Sequence, residues 1–247
     1  MKKRIQYQLP DYLTIGQYQT IEKYKDSGRT EFTVQTVSSL TKYEPEEVMK
    51  WDVTSLKKIL KSYEDISFHN NEFHSLIEWN GELLGYSHIR NQSLGEYVDL
   101  ENLCEDVPGN LHKICAIMYR PIEKHRFKSF EFAIKQGLKM VKNKVENVFD
   151  WYELTAYDSK ERKQREESFK DFPVHIILGA LSFFLSTAHQ YLINTQSSEE
   201  TKVVKMINHL QEKFLSQTIG AGGGLSTSYL NPTYLQLQEI KRSPILT

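Results

Sequence analysis

Glycine is concentrated at one place in this chain. Of 12 glycines in 247 residues, four fall within residues 220–224, so the first 219 residues hold only eight. A sandwich or barrel needs a tight turn about every ten residues, and glycine supplies the positive φ that such turns demand. Residues 1–219 therefore have too few glycines for an all-β chain, and helix should dominate.

The helical signals are local and specific. Thr14 can cap a helix running to about Lys25, with Ile15, Tyr18 and Ile21 on one side. A second helix over Glu31 to Thr41 is weaker because Thr and Val recur in it. Pro45 suits a first helical position, with Glu46 and Glu47 near the positive end of the dipole. Val53, Leu56, Ile59, Leu60 and Tyr63 then make an apolar stripe opposite Lys57, Lys58 and Lys61.

The period changes at Phe73. Two apolar-alternating runs, to Trp79 and from Leu83, flank Asn80-Gly81, the pair a type I′ turn prefers. This predicts a β-hairpin over 72–89, which needs a further strand or a helix beneath it. Phe127 to Ile134 and Trp151 to Tyr157 are the candidate strands, although Phe130 to Val145 also reads as helix.

Ser93 to Glu96 forms a capping box opening a helix to about Glu105. Asn110 is expected to cap the next helix, with Leu111, Ile114, Cys115 and Met118 on one face and Pro121 as its stop. Asp158 or Ser159 starts a charged helix to Lys170, whose i,i+4 pairs (Glu161/Arg165, Arg162/Glu166, Lys163/Glu167) suggest a solvated surface. Pro173 opens the most apolar stretch, through Ile193, too short for a membrane span of roughly 20 apolar residues but apolar nearly all round. Ser198 caps a last helix with Val203, Ile207, Leu210 and Phe214 on a stripe. Beyond the glycine run, Tyr229, Leu230, Tyr234 and Leu235 make the tail too apolar to be a solvating one.

The chain is thus expected to be a predominantly helical α+β protein. Its parts are an N-terminal helical region (1–67), a central α+β region (68–172), a C-terminal helical hairpin (173–219) and a glycine-hinged interaction tail (220–247).

Chemical motifs are few. The glycine run has no Lys before Ser226, holds Leu225 where a dinucleotide fingerprint needs glycine, and follows a helix. The eight histidines are scattered, and Cys104, His112 and Cys115 lack the paired spacing of a structural zinc site. With two cysteines in apolar helical patterns and no apolar run after Met1-Lys2-Lys3-Arg4, the chain reads as reduced and unsecreted. No catalytic, cofactor-binding or metal residue is assigned, and no cofactor is expected.

Charge is balanced overall, with 31 Lys plus Arg against 32 Asp plus Glu, which excludes bulk attraction to nucleic acid. The balance hides a separation. Residues 93–107 carry five acids (Glu96, Asp99, Glu101, Glu105, Asp106) and no base, whereas 121–145 carry seven bases against two acids. Either the two stretches face each other within one chain, or they meet between copies arranged head to tail. The candidate protein-interaction residues are therefore Glu96, Asp99 and Glu101, then Lys135, Lys139 and Lys142, with Phe183, Phe184 and the tail residues Tyr229, Leu230, Tyr234 and Leu235.

The series Ser93-Leu94-Gly95-Glu96-Tyr97-Val98-Asp99-Leu100-Glu101, with Asn110-Leu111-His112-Lys113-Ile114, Met118-Tyr119-Arg120-Pro121, Phe172-Pro173-Val174-His175 and Gly179 to Leu185, resembles proteins of the structural and tail-morphogenesis modules of tailed bacteriophages. Those of phages infecting gut Bacteroidota, including the crAss-like group, are most similar. The resemblance spans roughly residues 70–190. It implies a non-enzymatic virion protein of the tail or neck region, structural or cargo, made in the host cytoplasm. Its implied partners are other copies of itself and other tail, neck or portal-proximal proteins, with no membrane span and no sequence-specific nucleic acid. A tail-assembly chaperone and an enzyme are the alternatives. The pattern consists of caps and packing positions, so no family active-site residue carries over.

Overall fold

The computed structural model describes residues 7–67, 71–126 and 148–194. The expected strand or helix within 127–145, the helix after Ser198 and the glycine-hinged tail lie outside the described residues.

Four helices come first: α1 (Ile15–Lys23), α2 (Arg29–Thr41), α3 (Pro45–Val48) and α4 (Val53–Ser67). Thr14 caps α1 as expected, and the cap is reciprocal. Its hydroxyl accepts from the Gln17 N–H at 3.2 Å, and the Gln17 side chain accepts from the Thr14 N–H at 3.0 Å. The hairpin forms next, from β1 (Leu76–Trp79) and β2 (Glu82–Tyr86), with Trp79 opposite Glu82. Asn80 and Gly81 take φ of 52° and 77°, the positive values that the two-residue turn requires.

The third strand is not where the sequence suggested. It is β3 (Tyr119–His125), which pairs with β2 on one side and with β4 (Tyr152–Leu154) on the other, giving an antiparallel sheet in the order β1-β2-β3-β4. Pro121 was expected only to stop a helix; it lies inside β3, opposite Leu84. A residue before proline is disfavoured in the helical region, so Arg120 is extended and the helix ends one turn earlier, at Met118. β4 falls inside the expected run Trp151 to Tyr157.

Between β2 and β3 lie α5 (Leu94–Leu103) and α6 (Val107–Met118). Asn110 does not cap α6. Asp106 does, accepting from the Gly109 N–H at 3.0 Å, while Asn110 donates its side-chain N–H to the Leu103 carbonyl. Pro108 fits the first turn, where no N–H is missed. After β4 come α7 (Ser159–Glu166), a 3₁₀ turn (Glu167–Asp171) and α8 (Val174–Asn194).

Helix α6 is the hub: Leu111, Ile114, Cys115, Ala116, Ile117 and Met118 are all buried, and α1, α5, α7 and α8 contact it. One core runs from Leu13 to Phe184 across the boundaries at residues 67 and 172. The two ends of that core are tied by a short bridge, in which the Ile15 N–H donates to the Phe172 carbonyl and the Val174 N–H to Leu13, both at 2.9 Å. The sheet packs on α8 through aromatics. Phe73 stacks on Phe183 with ring centres 3.9 Å apart and planes within 8°, and Tyr86 and Phe149 close the cluster. Cys104 and Cys115 are buried and form no disulfide. The expected class, predominantly helical α+β, is the class observed.

Candidate protein-interaction face

Helix α5 carries two stripes of contrary composition. Its inward stripe is Glu96, Leu100 and Cys104, all buried. Its outward stripe, continued into the following 3₁₀ turn, is Leu94, Val98, Glu101 and Glu105 at offsets of four, three and four. Leu94 is 79% exposed and Val98 44%. An acid thus points into the protein and two aliphatics point out, the reverse of what helix burial favours.

The inward acid is held by the sheet. Glu96 is 1% exposed. One carboxylate oxygen lies 3.0 Å from the Arg120 guanidinium and accepts from the Ser87 hydroxyl at 2.9 Å. The other accepts from the Ser93 N–H at 2.7 Å, closing the expected capping box. Arg120 leads β3 and is itself buried; it also donates to the Thr155 carbonyl at 2.8 Å and lies over the Tyr157 ring. Burial pushes its guanidinium down from the ordinary value while Glu96 pulls it back, and it stays charged.

A second bridge continues to α7. The Tyr157 hydroxyl donates to Asp99, whose carboxylate also lies 3.6 Å from the Arg162 guanidinium. Burial first, and then the hydrogen bond to Asp99, raise the Tyr157 phenol, so it remains a donor. Arg162 pairs with Glu166 at 2.5 Å, and Arg165 donates to the Ala116 and Tyr119 carbonyls at the end of α6. Helix α7 is solvated on one side, where Ser159, Lys160, Glu161, Lys163 and Gln164 are exposed as its i,i+4 pairs suggested, but Arg162 on its other side is buried. Glu96 faces Arg120, and Asp99 and Glu166 face Arg162, so both buried guanidiniums have a carboxylate beside them, the arrangement in which buried charge is tolerable.

The expected interaction residues divide accordingly. Glu96 is a correction: it lies inside, committed to Arg120, because the N3 position of the capping box faces the sheet. Phe184 is a second correction, 1% exposed and part of the core. Phe183 is half-buried and engaged by Phe73. Asp99 sits at the inner edge beside Tyr157 and Arg162, and Glu101 is exposed on the outward stripe. Lys135, Lys139, Lys142, Tyr229, Leu230, Tyr234 and Leu235 lie outside the described residues. The sequence reading missed Ser87, Arg120, Tyr157 and Arg162. Arg120 did leave a signal, a lone charge after the apolar run Ile114 to Tyr119.

Cys104, His112 and Cys115 do not converge. The Nδ1 of His112 faces the Gln19 amide at 3.0 Å, and burial raises the Cys115 thiol well above its ordinary value. Cys104 lines a narrow apolar crevice with Leu100, Val107, Met118 and Phe184. Among the described residues no group of three or more His, Cys, Asp or Glu is set to hold a metal ion, and no helix is long and apolar enough to cross a membrane.

Compared with known proteins, the chain matches no protein-family model, no curated protein and no solved structure.

Proposed function

We propose that this protein is a non-enzymatic virion component of the tail or neck region of a tailed phage, structural or cargo, acting through repeated protein contacts. The sequence resemblance over residues 70–190 motivates the phage setting. The observation that carries the contact role is the outward stripe of α5. Two aliphatics one turn apart face solvent on a helix whose other side is fastened to β3 and α7 by paired charges. A rigid helix presenting apolar groups loses little side-chain freedom on docking, so the contact keeps more of its binding energy. Shape is held from behind, and the front is left for a partner.

The test is mass spectrometry of gradient-purified virions alongside the infected-cell lysate. The reading requires the protein in finished particles. Its restriction to lysate, bound to a tail protein, would replace this reading with that of an assembly chaperone.

A further inference from the structure

We infer that the corner between α3 and α4 is an isologous contact surface, occupied by the same corner of a second copy of this chain. The inference goes beyond the α5 face and does not depend on it.

The first observation is apolar exposure. Met49, which ends α3, and Val53, which begins α4, are 68% and 66% open to solvent. Among the described residues only Leu94 is a more exposed large apolar side chain. Large apolar groups exposed together within a polar rim mark contact surfaces. The corner that carries them is held from behind. Val48 is fully buried, and the Trp51 ring meets Tyr43 edge to face at 5.1 Å and stacks on Tyr7 at 6.2 Å. The Lys50 and Trp51 N–H groups donate to the Glu47 and Val48 carbonyls, both at 3.0 Å. Asp52 then accepts from the Ser55 N–H at 2.9 Å and from the Ser55 hydroxyl at 2.7 Å, which caps α4. A surface fixed in this way loses little freedom on docking.

The second observation is the order of charge. Residues 44–47 carry three acids and no base, whereas 53–63 carry three bases and no acid. All six (Glu44, Glu46, Glu47, Lys57, Lys58, Lys61) are exposed. Among the described residues none of these side chains makes an ion pair or a hydrogen bond. Val53, Lys57 and Lys61 are spaced by four, so the two bases continue the ridge that Val53 begins, about 6 and 12 Å along the helix.

Acids therefore precede the apolar pair and bases follow it. That order is complementary to itself. A two-fold axis through Met49 and Val53 sets the acids of each copy against the lysines of the other, with the aliphatics together at the centre. Such a contact closes on itself and stops at a dimer. A polyanionic surface is the poorer match, because it would meet the acids as well as the lysines.

The experiment is analytical ultracentrifugation of the full chain across a concentration series, at low and high salt. Wild type should form a dimer and nothing larger, and the dimer should weaken as salt rises. Glu46→Lys with Glu47→Lys on one chain, and Lys57→Glu with Lys61→Glu on another, should each weaken dimerisation at least about tenfold. An equal mixture of the two should restore a one-to-one dimer, and all four reversals on one chain should restore the homodimer. Met49→Ser with Val53→Ser changes no charge and should show the same loss as the single-sided reversals. Circular dichroism melts confirm that each variant folds.

A wild type monomeric at every concentration would overturn the inference and leave the corner to a different partner. A dimer unmoved by the reversals, or by Met49→Ser with Val53→Ser, would place the contact elsewhere and overturn it too. Assembly beyond the dimer in the mixture would show a heterologous contact and refute the two-fold arrangement. None of these results bears on the α5 face.

Discussion

Arg120→Met tests the idea that α5 is fastened by charge. The substitution keeps most of the apolar stem of Arg120 against its neighbours and removes only the guanidinium. Glu96, 1% exposed, then loses the cation at 3.0 Å and keeps the Ser87 hydroxyl and the Ser93 N–H. The Thr155 carbonyl loses its donor as well. Removing one member of a buried pair typically costs about 3–5 kcal/mol, chiefly because the other charge is stranded. The two remaining hydrogen bonds to Glu96 place the expected loss near the lower end, about 3 kcal/mol. That is a large part of the total stability of an ordinary domain. Urea unfolding at pH 7, read from the midpoint with the m-value checked for constancy, measures it. Glu96→Gln added to Arg120→Met should recover part of the loss, because the amide oxygen can accept from the Ser93 N–H while the amide N–H donates to the Ser87 hydroxyl, with no stranded charge. The reasoning is refuted if Arg120→Met alone costs less than about 1 kcal/mol, the range of an exposed pair, or if Glu96→Gln recovers nothing in that background.

Gly85→Ala should destabilise by about 1–3 kcal/mol, since a Cβ there would lie 2.6 Å from the Tyr152 ring, which is pinned by its hydrogen bond to the Tyr86 carbonyl; thermal melts read the loss. Asp106→Ala removes the cap of α6 and should cost about 1 kcal/mol in the same assay. His112 is held down to about 4, by burial first and then by Lys170 and Lys113, with Glu167 opposing. An unfolded histidine takes its proton near 6.5. Between those values the unfolded chain binds more protons, so the contribution of His112 is complete above about pH 6.5 and falls as pH drops toward 4, by at most about 3 kcal/mol. Urea midpoints measured across that window should fall less steeply for His112→Asn; an identical slope would contradict the assignment.

The legible parts of the fold were those encoded within a few residues. Asn80-Gly81 marked the hairpin, and Thr14, Pro45 and Ser93 marked helix starts, because a turn or a cap is satisfied by neighbours in sequence. What needed distant partners was hidden. The first residues of β3 were read as the end of a helix stopped by Pro121, because the apolar run from Ile114 to Tyr119 shows no period break; only the pairing of Leu84 with Pro121 and of Ile122 with Leu154 makes the segment a strand. Arg162 and Glu166 read as an exposed pair, since an i,i+4 spacing looks the same whether or not Asp99 covers it. Glu96 was misread for a related reason. Its capping box already accounted for a glutamate at that position, so nothing local revealed that Arg120 buries it. Leu94 and Val98 were on the page as residues of the helix, but which face of α5 looks outward is decided by Ser87, Arg120 and Tyr157.

The central claim is that α5 is a contact surface of a protein retained in the particle. Side-chain footprinting compares the purified chain with the same protein inside intact virions, reading the modification of Leu94 and Val98 by mass spectrometry. The account predicts heavy modification in the free chain and protection in the particle, with Leu100 protected in both. Absence of the protein from virions, or equal modification of Leu94 in the two states, would contradict it.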